Sequence, residues 1–240
     1  MTSTEGLRVG FLSANYRWRP HYDEFLALLP SDVEVQIEGL GLWRESITEL
    51  RGLADTHQAK TEELVAERAW QGIAVMGAPM QLQNPGLLDQ LRSVVPVPVI
   101  SALGAGAAAL KAFGVSRTLL VTPFDGPMNE LLRAHLASEG IEAMLASAGF
   151  VDLEKATALE PEQVYRLALD GFAGSPGAQA VYFQGAPLNP LGVLERIEAE
   201  LGVPVIASNP AMFWRLLSEL GRTYSLEGAG RLFRDWPRLA

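Results

Sequence analysis

Val97-Pro98-Val99-Ile100-Ser101-Ala102 and Val203-Pro204-Val205-Ile206-Ala207-Ser208 are nearly the same phrase written twice, 106 residues apart. Each runs into an apolar helical stretch that stops at a glycine, Gly114 in the first copy and Gly221 in the second. Further back, Met76-Gly77-Ala78-Pro79-Met80 matches Gln184-Gly185-Ala186-Pro187-Leu188 at a separation of 108, and Arg8 to Ser13 matches Arg117 to Thr122 at 109. Three blocks in the same order at a nearly constant offset mark an internal duplication.

The blocks sit in a regular alternation. Short apolar runs at Leu7–Ser13, Val33–Ile37, Ile73–Met76, Pro98–Ser101, Thr118–Thr122, Ile141–Leu145, Ala180–Phe183 and Pro204–Ala207 read as eight strands. They are continuously apolar rather than alternating, as strands buried on both faces of a parallel sheet are. Helical patterns fall between them, at Glu45–Trp70 (with Ile47, Leu50, Leu53 and Ala54 at helical spacing), Met128–Ser138, Glu162–Ala173, Leu191–Leu201 and Ala211–Leu220. Strand-helix alternation predicts α/β architecture. Eight units in 240 residues would also suit a single barrel. The duplication decides against it. The expected fold is two pseudo-symmetric three-layer α/β/α lobes, each with a four-stranded parallel sheet, and a ligand cleft between them. Residues 1–115 plus 211–240 are expected in the first lobe, and 116–210 in the second.

Composition narrows the function. Lys and Arg total 19 against 28 Asp and Glu, a net charge of −9, which argues against nucleic-acid or anionic-membrane partners. The start, Met1-Thr-Ser-Thr-Glu5, lacks the basic and apolar segments of a signal peptide, and a cytoplasmic protein is expected. Cysteine is absent, which removes disulfides, thiolate nucleophiles and Cys-ligated metals. The three histidines, His21, His57 and His135, are scattered. No metal site and no cofactor are expected.

In open parallel sheets ligands bind at the carboxyl ends of strands. Those ends are Ser13-Ala14-Asn15-Tyr16, Thr122-Pro123-Phe124-Asp125, Gly77-Ala78-Pro79 and Gly185-Ala186-Pro187. A strand ending in Gly-Ala-Pro leaves backbone N–H groups facing outward, an arrangement suited to a carboxylate or enolate oxygen. A plain strand-to-helix turn with proline early in the helix is the alternative. Tyr16, His21, Glu38 and Asp125 are further strand-end candidates. Three of these have a structural reading: Glu38 as an exposed strand-end acid, His21 as a surface histidine at a helix start, Asp125 as a helix cap. Tyr182 and Phe183 read as core, as do Trp18, Trp43, Trp70 and Trp214, while Arg231, Arg234 and Arg238 read as surface pairs.

These blocks resemble the aspartate/glutamate racemase superfamily, in particular its arylmalonate decarboxylase and maleate cis–trans isomerase branch. The resemblance rests on Met76-Gly77, Thr122-Pro123-Phe124-Asp125 through Asn129-Glu130, Gly185, Leu201–Ile206, the segment Ser208–Trp214 and Gly230–Phe233. It implies cofactor-free chemistry at the alpha carbon of a small carboxylate. The racemases work with two cysteines, and the resemblance places those positions on Gly77 and Gln184. A two-thiol mechanism is therefore excluded, and Gln184 becomes the catalytic candidate. Asn15, Gly77, Ala78, Thr122, Phe124, Asn129, Gly185 and Ala186 are the expected substrate-binding residues. Phe124 stands where the family has a tyrosine, and Ala78-Pro79 where it has a hydroxyl pair. The expected function is a cysteine-independent isomerase or decarboxylase-like lyase acting on a small carboxylate. Alternatives are a non-catalytic carboxylate binder and a structural homo-oligomer.

Overall fold

The computed structural model describes residues 6–15, 20–43, 50–146 and 153–239. All eight expected strands form: β1 (Leu7–Asn15), β2 (Val33–Trp43), β3 (Ile73–Val75), β4 (Val99–Ser101), β5 (Arg117–Val121), β6 (Glu142–Leu145), β7 (Val181–Phe183) and β8 (Val205–Ala207). They make two four-stranded parallel sheets, ordered β2-β1-β3-β4 and β6-β5-β7-β8. The duplication extends to register. Leu12 pairs with Val75 and Val75 with Ser101, while Val121 pairs with Phe183 and Phe183 with Ala207. The hydrogen bonds that frame the sheets repeat too. Gln71 Oε1 accepts from the Arg8 amide, and Gln179 Oε1 accepts from the Arg117 amide.

The helices are α1 (Pro20–Leu26), α2 (Ala54–Arg68), α3 (Ala78–Gln83), α4 (Leu87–Val94), α5 (Ala102–Ala112), α6 (Gly126–Ser138), α7 (Leu153–Thr157), α8 (Pro161–Ala173), α9 (Leu194–Leu201, entered through a 3-10 turn at Leu191–Val193), α10 (Ser208–Glu219) and α11 (Gly230–Asp235). One expectation is corrected. The helix expected to start at Glu45 starts at Ala54; residues 44–49 lie outside the described set. The chain turns at Gly52, whose φ is +77°, and the Leu53 amide donates to Asn84 Oδ1 (2.9 Å). Helical spacing alone does not reveal such a turn, because Leu50 is buried for its own reasons.

The chain divides into two compact units, Met1–Ser101 and Ala102–Ala240, each holding one sheet. In the first unit Leu12, Val75, Trp70, Met80 and Leu91 form the core on one face of the sheet. In the second, Leu119, Val121, Phe183, Ala168 and Ile197 do so. The opposite face of the second sheet meets α5 and α10. Gly106 on α5 lies against Tyr182 of β7 so closely that a Cβ there would fall 1.9 Å from the phenol oxygen. The sequence expectation grouped α5 and residues 211–240 with the first sheet. This division groups them with the second, in line with the packing of α5 on α10 and on Tyr182.

Candidate functional site

Both Gly-Ala-Pro loops leave their strands in the same way. The Met76 amide donates to Leu12 O and the Gln184 amide to Val121 O, each at 2.9 Å. The next residue is a glycine with positive φ, +80° at Gly77 and +118° at Gly185. That glycine's carbonyl accepts from the amide three residues on, Met80 in one loop and Leu188 in the other. Gly77 is thus the counterpart of Gly185, and Gln184 the counterpart of Met76. The two positions implied by the resemblance, Gly77 and Gln184, are not equivalent in the repeat.

The loops differ in what surrounds them. Gly77 is exposed, and a Cβ built on it would have only Pro79 Cδ near, at 4.0 Å. The Gly77 and Ala78 amides donate to no other described residue. Gly185 is buried, and a Cβ there would lie 2.7 Å from Pro123 Cδ and 3.3 Å from the Phe124 ring. Its amide donates to Ser208 Oγ (3.1 Å). The matching position in the first repeat is Ala102, which has no hydroxyl to accept. The contrast lies at the glycines: Gly77 is exposed and its amide has no acceptor among the described residues, although Ala78 after it is buried, whereas the buried Gly185 amide is satisfied by Ser208.

The expected binding residues of the second unit build that closure. Thr122 Oγ1 and Asn129 Oδ1 are hydrogen-bonded to each other. The Phe124 amide donates to Thr122 Oγ1 (3.3 Å), and Asn129 Nδ2 donates to Phe124 O (2.9 Å). Asp125 is the N-cap of α6, accepting from the Met128 amide at 3.0 Å. Ala186 is half-buried.

Gln184 is fully buried. Its Oε1 accepts from the Tyr182 hydroxyl and lies 3.2 Å from Ser208 Oγ. Burial pushes the Tyr182 phenol well above its ordinary pKa, so it stays protonated as the donor. In the first unit Asn15 ends β1 and is half-buried, its amide donating to Ser13 Oγ at 3.3 Å. Glu38 forms an ion pair with Arg68 at 3.3 Å. His21 is buried in α1, edge-on to Tyr22, rather than on the surface as expected. Burial also holds His57 neutral, its pKa pushed down to about 4. Trp70 and Trp214 are core, and Arg231 and Arg234 pair with Asp235. Tyr16 and Trp18 lie outside the described residues. Among the described residues no cluster of acids and histidines could hold a metal, and no helix is long and apolar enough to cross a membrane.

Sequence reasoning missed Ser208, Tyr182 as a hydrogen-bond donor, and Asn84. For Ser208 a signal existed: the duplicated phrase ends in Ser-Ala in one copy and Ala-Ser in the other.

The comparisons agree with this architecture. The chain is 29% identical over 154 residues to arylmalonate decarboxylase of Bordetella bronchiseptica, a match covering 63% of this chain and 64% of that protein, just under two thirds of its length. A liganded crystal structure of an arylmalonate decarboxylase mutant, with one glycine changed to cysteine and one cysteine to serine, has a TM-score of 0.82. Its identity is 24%, over 95% of this chain and 99% of that one. A serine-substituted maleate cis–trans isomerase of Nocardia farcinica, carrying a covalently bound succinylcysteine intermediate, has a TM-score of 0.74. Its identity is 22%, over 95% and 98% of the two chains. At these identities the two structures speak to the fold. The family model for arylmalonate decarboxylase matches residues 23–233. The chain belongs to the arylmalonate decarboxylase family.

Proposed function

We propose that this chain binds a small dicarboxylate and removes one carboxyl group from its alpha carbon without thiol or cofactor. The observation that carries the reading is the Gly77-Ala78 turn, exposed at Gly77 and buried at Ala78, whose two amides are unused by other described residues at the end of β3. Amides so placed suit a carboxylate and the enediolate that forms from it. Asn15, ending the neighbouring strand β1, contributes a carboxamide to the same acid. Thr122, Phe124, Asn129 and Gly185 enter as the scaffold of the closed loop in the second unit. Gln184 enters as its support.

The reaction type follows from what the chain lacks. Isomerisation through a succinylcysteine, as in the Nocardia enzyme, needs a cysteine, and there is none. Racemisation needs a base to remove an alpha proton. Decarboxylation needs neither. The bond to the departing carboxylate breaks, its electron pair stays on the alpha carbon, and delocalisation into the remaining carboxylate gives an enediolate. Water supplies the proton that completes the C–H bond, and the hydroxide left behind joins the CO2 as bicarbonate. With no fixed acid, either face of the carbon is protonated.

Incubation with 2-methyl-2-phenylmalonate is expected to release bicarbonate and yield racemic 2-phenylpropionate. Ala78→Pro removes one amide at a first-turn position where proline is tolerated. It is expected to weaken binding about 10- to 100-fold, the share of about 1.5–3 kcal/mol of a hydrogen bond to a charged group. A second reading, a non-catalytic carboxylate binder, is favoured by the closed Gly185 loop. It predicts saturable thermal stabilisation by the malonate with no bicarbonate release. Neither binding nor turnover of any malonate would sink both.

A further inference from the structure

The two copies part company at the amino-terminal edges of their sheets. In the second unit Arg117 of β5 stands opposite Glu142 of β6 and is paired with it, Nε and Nη2 lying 2.9 and 2.8 Å from Oε2. In the first unit Arg8 stands opposite Glu34 in the same register, yet Arg8 has no ion-pair partner among the described residues. Two differences between the copies account for this. Glu34 Oε1 accepts instead from Gln36 Nε2 (2.6 Å), and Gln36 Oε1 accepts from the Trp70 indole (2.8 Å). The matching residues of the second copy are Met144 and Ala178, which offer Glu142 no such bond. The arginine's seat differs as well. A Cβ added to Gly177 would lie 2.8 Å from Arg117 Nη1. The residue matching Gly177 is Ala69, which carries that Cβ at a φ of +51°, a conformation alanine seldom adopts. Ala69 thus bars Arg8 from the pose of Arg117.

Where the ion pair is unmade, the first unit has a cleft of about 790 Å³, lined by Arg8, Ser31, Asp32, Glu34, Ala69 and Gln71. That volume suits a small molecule. The cleft lies wholly in the first unit, at the other end of β1 from Asn15, and shares no residue with the Gly77 turn. Its wall carries one guanidinium and two carboxylates. A simple anion on Arg8 meets both acids, and a simple amine on the acids meets Arg8. A ligand with a carboxylate and an ammonium a few bonds apart meets each charge with its opposite. Arg8 offers the carboxylate a planar fork of N–H donors, and Glu34, with one oxygen on Gln36, has the second for the ammonium. We propose that this cleft binds a free amino acid, its carboxylate on Arg8 and its ammonium on Glu34. With two acids to one base, the wall favours a basic side chain on that amino acid and disfavours an acidic one.

The test is a titration of the isotope-labelled whole chain at low salt with L-lysine, L-glutamate, propionate and propylamine, followed by NMR of the backbone amides. L-lysine is expected to give saturable shifts at Arg8, Glu34 and Gln71. L-glutamate should bind more weakly, and propionate and propylamine, each with half of the charge pattern, at least about 10-fold more weakly. Arg8→Met removes the guanidinium and should weaken L-lysine by a similar factor. Ala69→Gly relieves the positive φ and lets Arg8 settle as Arg117 does, so it should weaken L-lysine several-fold in a protein at least as stable as wild type. Absence of saturable shifts at the cleft, propionate binding as tightly as L-lysine, or unchanged affinity in either folded variant would overturn the proposal. Shifts clustered at Gly77 and Ala78 would also overturn it, since the amino acid would then occupy the turn proposed for the malonate. Turnover is not read, so failure of the proposed decarboxylation leaves this test intact.

Discussion

Gly77 and Gly185 occupy the same place in two copies of one motif, yet they face opposite demands. Both have φ values that L side chains rarely adopt, so alanine at either is strained. Only at Gly185 does the new methyl also meet a proline ring and the Phe124 edge, in a loop already tied by Thr122 and Asn129. Gly77→Ala is expected to cost about 1 kcal/mol. Gly185→Ala adds overpacking to strain and is expected to cost about 2–4 kcal/mol. Urea unfolding of the two variants checks this, and equal losses would mean that the second loop yields as easily as the first. The likeness of these glycines was legible in the Met76–Met80 and Gln184–Leu188 blocks. Their difference was not, because the plug comes from Pro123 and Phe124 in the loop after β5, and the acceptor for the Gly185 amide comes from Ser208 at the start of α10. Gln184 shows the same limit. Its position at a strand end could be read, but whether its side chain meets a ligand or a tyrosine depends on the face it takes and on Gly106 making room for Tyr182.

Among the elements, strands were the legible part, since continuous apolar runs survive any choice of neighbours. Helix starts were less so, and α2 begins only where Gly52 and Asn84 let it. Asn84 Nδ2 donates to Leu50 O (2.7 Å) and Met80 O (2.8 Å) while Oδ1 accepts from the Leu53 amide, so one side chain fixes the chain entering α2 to α3. At the other end of the chain, Glu198 on α9 does comparable work. Its two oxygens accept from the Val205 amide at the start of β8 and the Arg231 amide in α11, each at 2.9 Å. Burial raises its pKa, against the pull of those two amides and of Arg231 and Arg234. A carboxyl whose folded pKa is raised holds its proton longer in the folded state, so its contribution to stability falls as pH rises through that pKa. Glu198→Ala leaves two amides without their acceptor and is expected to cost about 2–4 kcal/mol. It should also expose residues 222–229 to limited proteolysis before the rest of the second unit. Glu198→Gln keeps one acceptor, should cost less, and should remove this group's share of the pH dependence. If proteolysis of Glu198→Ala begins elsewhere, α11 is held by its aromatic contacts, Phe213, Phe233 and Trp236, and not by the carboxylate.

For the whole chain, the duplication gives two sheets of one design, and acid stress should reach both through a histidine that burial holds below its ordinary pKa, fully buried in the first unit and half-buried in the second. In the first unit, His57 sits fully buried on α2. The Thr61 hydroxyl donates to the His57 carbonyl (2.8 Å), which leaves Thr61 Oγ1, 3.1 Å from Nδ1, to accept from the imidazole. Nδ1 then carries the proton and Nε2, which has no partner, is bare. Protonating Nε2 would bury an unpaired charge, which is why burial lowers the pKa from 6.5 to about 4. In the second unit, burial also lowers the pKa of His135, with Glu139 opposing the shift. Between pH 6.5 and about 4 the unfolded chain binds a proton at His57 that the folded chain refuses, so the contribution of this histidine is full above pH 6.5 and is lost as the solution is acidified, with His135 acting in the same direction. For His57 alone the loss approaches about 3 kcal/mol at pH 4. Replacing it with leucine removes both the orphaned nitrogen and the titration. Urea midpoints for His57→Leu should lie near those of wild type at pH 7 and above them at pH 4.5, with a shallower slope between, the remainder belonging to His135 and the carboxylates. Parallel pH profiles for the two proteins would show that His57 is protonated in place without penalty, and that the first unit has a proton acceptor for it.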